Sequence, residues 1–275
     1  MLDSIVKQAP FFLLVAVRCF ALIMILPLFA MRGTVPRMVK VALAGYFAYL
    51  VFPSLSAQTS FFAKSYNLYF DYDGSFTLEY IMLLVGEGLI GIIMGLYVSM
   101  IFAAFSTAGQ FFAFPMGFSA SEVYDALSQV ENPLMGQYFN LIGMLIFLQN
   151  HWFQILFKDA LTASFNTLSA FSIVSANEGI MFFFLKSLTY LFLNAFTLAF
   201  PIIGTLTLIM VAMGMLSKAA PQMNLFSEGF SITMLVAFFL ITELMPGMCE
   251  FFTHSFVDGF RTLEKFFIQV SGGIQ

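Results

Sequence analysis

Charged residues are scarce in this chain of 275 residues. Asp, Glu, Lys and Arg make up 9% of the sequence, hydrophobic residues make up 60%, and the mean hydropathy is +0.93. A soluble domain carries charge on about a quarter of its residues, so this composition excludes a soluble globular enzyme. It also excludes disorder, which needs low hydrophobicity and high charge. The net charge of −4 excludes a basic nucleic-acid-binding protein.

Residues and motifs that carry catalysis or bind metals are equally rare. Cys19 and Cys249 lie in apolar runs without metal-ligand spacing, and no His or Asp cluster is near them. The sequence has no Walker A loop, no GxGxxG fingerprint, no GxSxG elbow and no HExxH motif. We therefore expect a protein that is not an enzyme and that holds neither a metal nor another cofactor.

Long apolar runs are what the sequence has in abundance. A helix that spans a bilayer needs about 20 mostly apolar residues. Six runs approach or exceed that length, namely residues 10–31, 38–52, 80–105, 138–156, 180–216 and 230–252. The fifth run is too long for one straight span. Pro201 and Gly204 near its middle leave open one bent helix or two short ones. The sequence predicts an all-α membrane protein with about six long, partly kinked helices.

Charges between the runs indicate orientation. Basic residues from Arg32 to Lys40 follow the first run and place that connection in the cytoplasm. The next connection carries Asp71 and Asp73 together with several tyrosines, among them Tyr66. This pattern predicts an outward-facing segment whose tyrosines lie at the membrane interface.

A face of small residues follows the third run. Gly91, Gly95 and Ser99 recur every fourth residue and therefore share one face of a helix. Small residues let two helix backbones approach closely within a membrane. The pattern is typical of ordinary helix packing, which we favour. Packing against another subunit is the alternative.

Three ionisable residues lie inside apolar runs: Arg18, Glu87 and Glu243. Such groups are costly in a bilayer unless they are paired or hydrated. Glu87 is either a proton or ion site or the partner of a salt bridge, with Arg18 or across a subunit contact. We favour the structural role, because a proton-coupled carrier gathers several polar groups at mid-membrane.

Residues 108–118 combine helix-breaking residues with bulky apolar ones. Gly109, Pro115 and Gly117 predict an interrupted helix and a flexible loop. The bulky side chains are Phe111, Phe112, Phe114, Met116 and Phe118. Side chains of this kind adapt to varied surfaces and gate channels by excluding water. From the residues alone, the segment is either a pore plug or part of a core in a chain with 38 phenylalanines.

Residues 220–230 read APQMNLFSEGF and closely resemble the APQxNxFxxGF signature of the FliR family. Further family features follow in the expected order along nearly the whole chain, from Arg18 through Glu87 and Gly91 to His151. The family is a membrane subunit of the flagellar type III export gate, with counterparts in virulence injectisomes. The resemblance therefore implies a non-enzymatic structural subunit of the channel that exports unfolded flagellar proteins.

The resemblance also implies an architecture. A FliP-like helical half, residues 1–165, is followed by a FliQ-like helical hairpin, residues 166–275, with many helices arranged as tilted hairpins raised out of the membrane. The loop 106–137 in the first half holds the pore plug, which favours the plug role for its Phe- and Met-rich segment. The tip loop of the hairpin, residues 217–229, faces the cytoplasm.

The partners implied by the resemblance are FliP-like, FliQ-like and FlhB-like membrane subunits, together with unfolded export substrates and membrane lipid. No nucleic-acid partner is expected. Residues expected at the cytoplasmic entrance are Pro221, Gln222, Asn224 and Phe226. The location implied is the bacterial inner membrane, at the flagellar basal body.

Two alternatives remain open at this level. The chain is also compatible with the equivalent subunit of a virulence injectisome. A small-solute secondary transporter is the competing class, but it predicts an inverted repeat between the two halves, and we find none.

Overall fold

The described chain is helical throughout. The computed structural model describes residues 2–30, 35–55, 62, 66, 78–117, 134–171, 177–219 and 225–272. These ranges contain no β-strand, which confirms the all-α prediction.

Helices of 16 residues or more dominate these ranges. In chain order, the helices are α1 (Leu2–Ile25), α2 (Pro27–Ala30), α3 (Arg37–Leu55), α4 (Leu78–Ala113), α5 (Leu134–Gln149), α6 (Trp152–Ile155), α7 (Leu161–Thr167), α8 (Asn177–Ala219) and α9 (Leu225–Gly272). A π-helical turn, Leu156–Ala160, separates α6 from α7.

The long fifth apolar run forms one continuous helix. Helix α8 extends over 43 residues with Pro201 inside it, and α9 extends over 48 residues with Pro246 inside it. A proline removes one backbone hydrogen bond from a helix but does not end it where the long apolar environment favours helix on both sides. Helix α9 also continues well beyond the apolar run that predicted it, because its second half is amphipathic.

Among the residues that the structure describes, four helices are long and apolar enough, by length and composition, to cross a membrane: Arg37–Leu55, Leu78–Ala113, Gly179–Ala219 and Ser231–Val270. Ala9–Ile25 and Leu134–Gln149 are shorter apolar helices. The chain is therefore a multi-pass membrane protein.

Both predicted loops are shorter than the sequence indicates. Helix α4 continues to Ala113 and α5 begins at Leu134, so both ends of the predicted loop 106–137 are helical. Helix α8 continues to Ala219 and α9 begins at Leu225, so the same holds for the predicted tip loop 217–229. The predicted boundaries were wrong at these ends. Around Gly109 the close packing of α4 against Met135 of α5 accounts for the continued helix.

The chain divides into two compact units. Unit 1 comprises Met1–Met100, Asn150–Ser187 and Val257–Gln275, and unit 2 comprises Ile101–Gln149 and Leu188–Phe256. Helices α4, α8 and α9 contribute residues to both units.

In unit 1, α1 and α4 run in the same direction. Tyr80 near the start of α4 donates a hydrogen bond to the carbonyl of Pro10, and Ser99 further along α4 donates one to the carbonyl of Ile25. Helix α3 packs beside α1 through an edge-to-face contact of Phe12 with Phe52, whose ring centroids are 5.6 Å apart.

In unit 2, the end of α4 and α5 form an antiparallel pair. An aromatic core fills the space between them and α9. Its members are Phe102, Phe105, Phe139, Phe147, Phe252 and Phe256, and each is at most 1% exposed. The centroids of Phe105 and Phe252 are 3.9 Å apart, and Phe102 and Phe147 meet at 5.3 Å.

Candidate functional site

Arg18 of α1 and Glu87 of α4 form a salt bridge inside unit 1. Arg18 Nε lies 2.7 Å from Glu87 Oε2, and both side chains are fully buried. The structure thus brings together two charges that lie 69 residues apart in the sequence. A buried ion pair is tolerated only when its remaining polar atoms also find partners.

The other two guanidinium nitrogens of Arg18 bind the α7 region. Nη1 donates to Ser164 Oγ at 3.0 Å, and Nη2 donates to the carbonyl oxygen of Leu168 at 3.2 Å. Leu168 has extended backbone geometry at the end of α7, so its carbonyl group turns out of the helix toward Arg18. The ring of Phe165 lies beneath the guanidinium group, 4.0 Å from its central carbon, and adds a cation–π interaction.

Tyr66 completes the cluster. Its hydroxyl group donates to Glu87 Oε1 at 2.5 Å and accepts a hydrogen bond from the backbone N–H of Ala170 at 2.7 Å. Burial raises the pKa of the Tyr66 hydroxyl, and the neighbouring Glu87 carboxylate raises it further. Tyr66 therefore remains a protonated donor to Glu87.

We call these residues the charged cluster: Arg18, Tyr66, Glu87, Ser164, Phe165, Leu168 and Ala170. All three nitrogens of the guanidinium group and both oxygens of the carboxylate have partners. The Glu87 carboxylate is fully buried, and both of its oxygens accept hydrogen bonds from residues of the same chain. The arrangement is suited to holding α1, α4 and α7 at fixed positions.

The prediction that Tyr66 lies at the membrane interface with the other tyrosines of its segment was wrong, because Tyr66 is fully buried in unit 1. Phe62, four residues earlier in the sequence, makes an edge-to-face contact with Tyr66 at 4.8 Å and also contacts Phe165. The i, i+4 spacing of these two rings was the available signal.

The face of small residues on α4 packs against α1 of the same chain. A Cβ added at Gly91 would collide with the backbone carbonyl oxygen of Arg18, and one at Gly95 would lie 2.9 Å from the Cβ of Ile25. Ser99 continues the face with its hydrogen bond of 3.0 Å to the Ile25 carbonyl. This close approach brings Glu87 within reach of Arg18.

The predicted plug segment belongs to unit 2 and begins inside α4. Gly109 lies inside α4. A Cβ there would lie 2.6 Å from the carbonyl oxygen of Met135, so the glycine permits the close approach of α4 to α5. The prediction that Gly109 interrupts the helix and adds loop flexibility is therefore wrong. The turn comes later, at Gly117, whose φ of 85° favours glycine.

The bulky side chains of the plug segment differ in burial. Phe112 is fully buried and packs edge-to-face on Phe139 at 5.1 Å, and Met116 is fully buried as well. Phe111 is half-buried and Pro115 is buried. Phe114 is 75% exposed. Phe118 lies outside the described residues.

The predicted cytoplasmic entrance residues fall mostly outside the described ranges. Pro221, Gln222 and Asn224 lie outside them, and Phe226 lies in the first turn of α9 with its side chain not described. Within the ranges that are described, no group of three or more His, Cys, Asp or Glu side chains is placed to hold a metal ion.

Known proteins match this chain over nearly its whole length. Residues 9–259 match the family model described as bacterial export proteins, family 1. The flagellar biosynthetic protein FliR of Escherichia coli (strain K12) is 31% identical over 252 residues, which cover 90% of this chain and 88% of that protein. FliR of Bacillus subtilis (strain 168) is 28% identical over 246 residues, 89% of each chain.

A relative from another system also matches. The surface presentation of antigens protein SpaR of Shigella sonnei is 29% identical over 196 residues, 67% of this chain and 75% of that protein. The match to FliR of E. coli exceeds 30% identity and spans most of both chains. Arg18, Glu87 and the face of small residues on α4 all lie within the matched residues 9–259. The chain therefore belongs to the bacterial export proteins, family 1, which is the FliR family.

Proposed function

We propose that this protein is a non-enzymatic structural subunit of the flagellar type III protein export gate. The match to the bacterial export family over residues 9–259 carries the proposal. FliR of Escherichia coli and FliR of Bacillus subtilis align over about nine tenths of the chain, and their printed names are flagellar. These long alignments support a flagellar gate, and the equivalent subunit of an injectisome is the alternative.

The protein acts in the bacterial inner membrane at the flagellar basal body. Its partners there are FliP-like, FliQ-like and FlhB-like subunits, and its cargo is unfolded flagellar protein. Extensive exposed apolar surface on α8 supports a role within a larger assembly and among lipids. Phe182, Phe192, Phe196 and Phe200 are each more than half exposed. A lone α8 would present all of these rings to its surroundings.

The two proposed halves are a FliP-like part, residues 1–165, and a FliQ-like hairpin, residues 166–275. Two contacts support the hairpin. In unit 1, Phe183 of α8 stacks on Phe266 of α9 with centroids 4.0 Å apart. In unit 2, Met213 of α8 lies against Gly229 of α9, where an added Cβ would be 2.8 Å from the methionine Cε. Early α8 thus meets late α9, and late α8 meets early α9, as in an antiparallel pair.

The proposed plug begins in the last turns of α4 and continues beyond it, with a division of roles between its side chains. Phe112 packs on Phe139 and anchors the segment to α5, and Met116 is buried as well. Phe114 points away from that anchor and is the side chain that seals the resting channel. Bulky apolar groups of this kind close a narrow conduit by dewetting it, and arriving polypeptide displaces them.

The function as a whole is tested by purifying the tagged chain from its own host. The expected result is recovery with FliP-like and FliQ-like subunits and loss of motility when the gene is deleted. Recovery of a lone chain that moves small solutes across liposomes would contradict the proposal and favour a secondary transporter.

The plug is tested by Phe114→Ser in a complex whose assembly has been verified. We expect a measurable leak of small ions across the inner membrane with assembly unchanged. Phe182→Ser is the matched control, because Phe182 is 68% exposed on α8 and lies outside the segment. An intact ion barrier in the Phe114 variant would count against the plug.

A further inference from the structure

A groove lies within unit 1, between the segment that runs from α6 to α7 and the second half of α9. Its volume is about 370 Å³, which falls within the range of roughly 300–1,000 Å³ that ligand pockets have. Its lining combines an apolar floor with a charged rim, and it includes no residue of the charged cluster or of the proposed plug. The groove is therefore separate from both of those features.

The floor of the groove is apolar. Trp152, Leu263 and Phe267 line it and are buried. The Trp152 ring of one side makes an edge-to-face contact with Phe260 of the other side, with centroids 6.5 Å apart. Because the two sides pack on each other in this way, the floor is preformed and offers an apolar surface to a ligand.

The rim of the groove carries both signs of charge. Asp159 of the π-helical turn and Arg261 and Glu264 of α9 line the groove and are exposed. Within the described ranges, neither carboxylate forms an ion pair. Arg261 Nη1 lies 3.9 Å from Asp258 Oδ1, and both side chains are exposed. This distance is too long for a hydrogen bond, so the guanidinium group keeps donors for a ligand.

The composition of α9 changes where the groove begins. The apolar run 230–252 has two charged residues among 23, whereas residues 257–267 have four among 11. Trp152, on the other side of the groove, follows directly after the apolar helix Leu134–Gln149 and two polar residues. A tryptophan together with charged side chains at the end of apolar helices is typical of the level at which lipid headgroups lie.

We propose that this groove binds a zwitterionic phospholipid with a primary ammonium group, of the phosphatidylethanolamine class. Arg261 donates hydrogen bonds to the lipid phosphate, and the lipid ammonium donates to Asp159 and Glu264. One acyl chain lies on the apolar floor. Charge complementarity selects this occupant, because its headgroup offers one anion to the single cation of the rim and one cation to the two carboxylates.

Other lipids and peptides match the rim less well. An anionic lipid such as phosphatidylglycerol supplies a phosphate for Arg261 but no cation for the two carboxylates, which repel it. Phosphatidylcholine carries a quaternary ammonium that has no N–H to donate. A basic peptide suits the carboxylates but places its charge beside Arg261. The rim therefore discriminates between headgroups by repulsion as well as by attraction.

The test measures lipid binding to the full chain purified in detergent, by native mass spectrometry. The probes are phosphatidylethanolamine, phosphatidylglycerol and phosphatidylcholine with identical acyl chains. We expect the apparent Kd for phosphatidylethanolamine to be about tenfold lower than that for phosphatidylglycerol, since charge-assisted hydrogen bonds are gained and repulsion is avoided. Equal affinity for these two lipids would overturn the inference.

Variants at the rim assign the preference to this groove. Asp159→Asn combined with Glu264→Gln should abolish the preference for phosphatidylethanolamine, and Arg261→Gln should weaken binding of both phosphate-bearing probes. Glu250→Gln and Lys265→Gln are the matched controls, because both residues are exposed on α9 and neither lines the groove. All of these positions are exposed, so the chain should fold normally. A double variant that keeps the preference would show that the lipid binds elsewhere.

The occupant in the membrane is identified by a photo-crosslinking amino acid at Ile155, which lines the groove and is 40% exposed. We expect a lipid adduct on the chain after irradiation of intact cells. An adduct with protein alone would overturn the inference. Lipid binding is a property of the single chain and goes beyond the proposed function, so its failure leaves the export-gate function standing.

Discussion

The charged cluster of unit 1 and the aromatic core of unit 2 hold helices together by different chemistry. In the charged cluster, each nitrogen of the Arg18 guanidinium group has its own partner at a fixed distance, and Arg18 alone joins α1 to two other segments of the chain. In the aromatic core, Phe256 contacts Phe102, Phe105 and Phe147 at centroid distances of 4.9 to 5.5 Å. Each ring there packs against several others, so the packing does not depend on any single atom.

This difference predicts how each region responds to substitution. A directional network fails when one atom is removed, because the remaining groups are left buried without partners. A packed apolar core loses stability in proportion to the volume removed and repacks in part. The charged cluster specifies which helices pack together, whereas the aromatic core adds stability and tolerates substitutions better.

The largest effect is expected for Glu87→Ala. It leaves the Arg18 guanidinium group buried without its counter-charge, which costs about 3–5 kcal/mol of unfolding free energy. Thermal unfolding of the purified protein in detergent measures the loss. The double variant Arg18→Met, Glu87→Met should be more stable than Glu87→Ala, because no unpaired charge remains. If the double variant is as unstable as Glu87→Ala, the packing of α1 against α4 does not depend on the salt bridge.

Tyr66→Phe should have an intermediate effect of about 1–3 kcal/mol. It removes the donor to Glu87 and the acceptor of the Ala170 N–H while the ring remains. The same unfolding measurement applies, with Tyr46→Phe as the control, since Tyr46 is 59% exposed on α3. Equal melting temperatures for the two variants would mean that the hydroxyl group of Tyr66 contributes nothing.

The smallest effect is expected for Phe256→Leu in the aromatic core, about 1–2 kcal/mol. Leucine keeps most of the buried volume, and the remaining rings close around it. If this variant unfolds as readily as Glu87→Ala, the proposed contrast between the two regions is wrong.

Much of the fold was predictable because a bilayer imposes one dominant rule. Long apolar runs must form helices there, since only a helix satisfies its own backbone. Close packing of α4 was also predictable from the spacing of Gly91 and Gly95, but only the structure identifies α1 as the neighbouring helix.

Other features depend on tertiary contacts that leave weak signals in the sequence. Gly109 has the composition of a helix break, but its missing side chain accommodates the Met135 carbonyl in a close contact between helices. Tyr66 lies among other tyrosines whose pattern is typical of a membrane interface. Only the structure shows that its side chain is buried and packs on Phe62. One partner of Arg18 is the backbone carbonyl group of Leu168. Every residue has a carbonyl group, so the sequence could not identify this partner.

The length of α8 has a consequence for what must cover it. At 1.5 Å per residue, a helix of 43 residues measures about 64 Å, roughly twice the 30 Å thickness of the hydrocarbon layer. Helix α8 is therefore longer than the part of an apolar helix that one bilayer can cover. Apolar side chains of α8 that extend beyond the hydrocarbon layer face water unless another protein covers them.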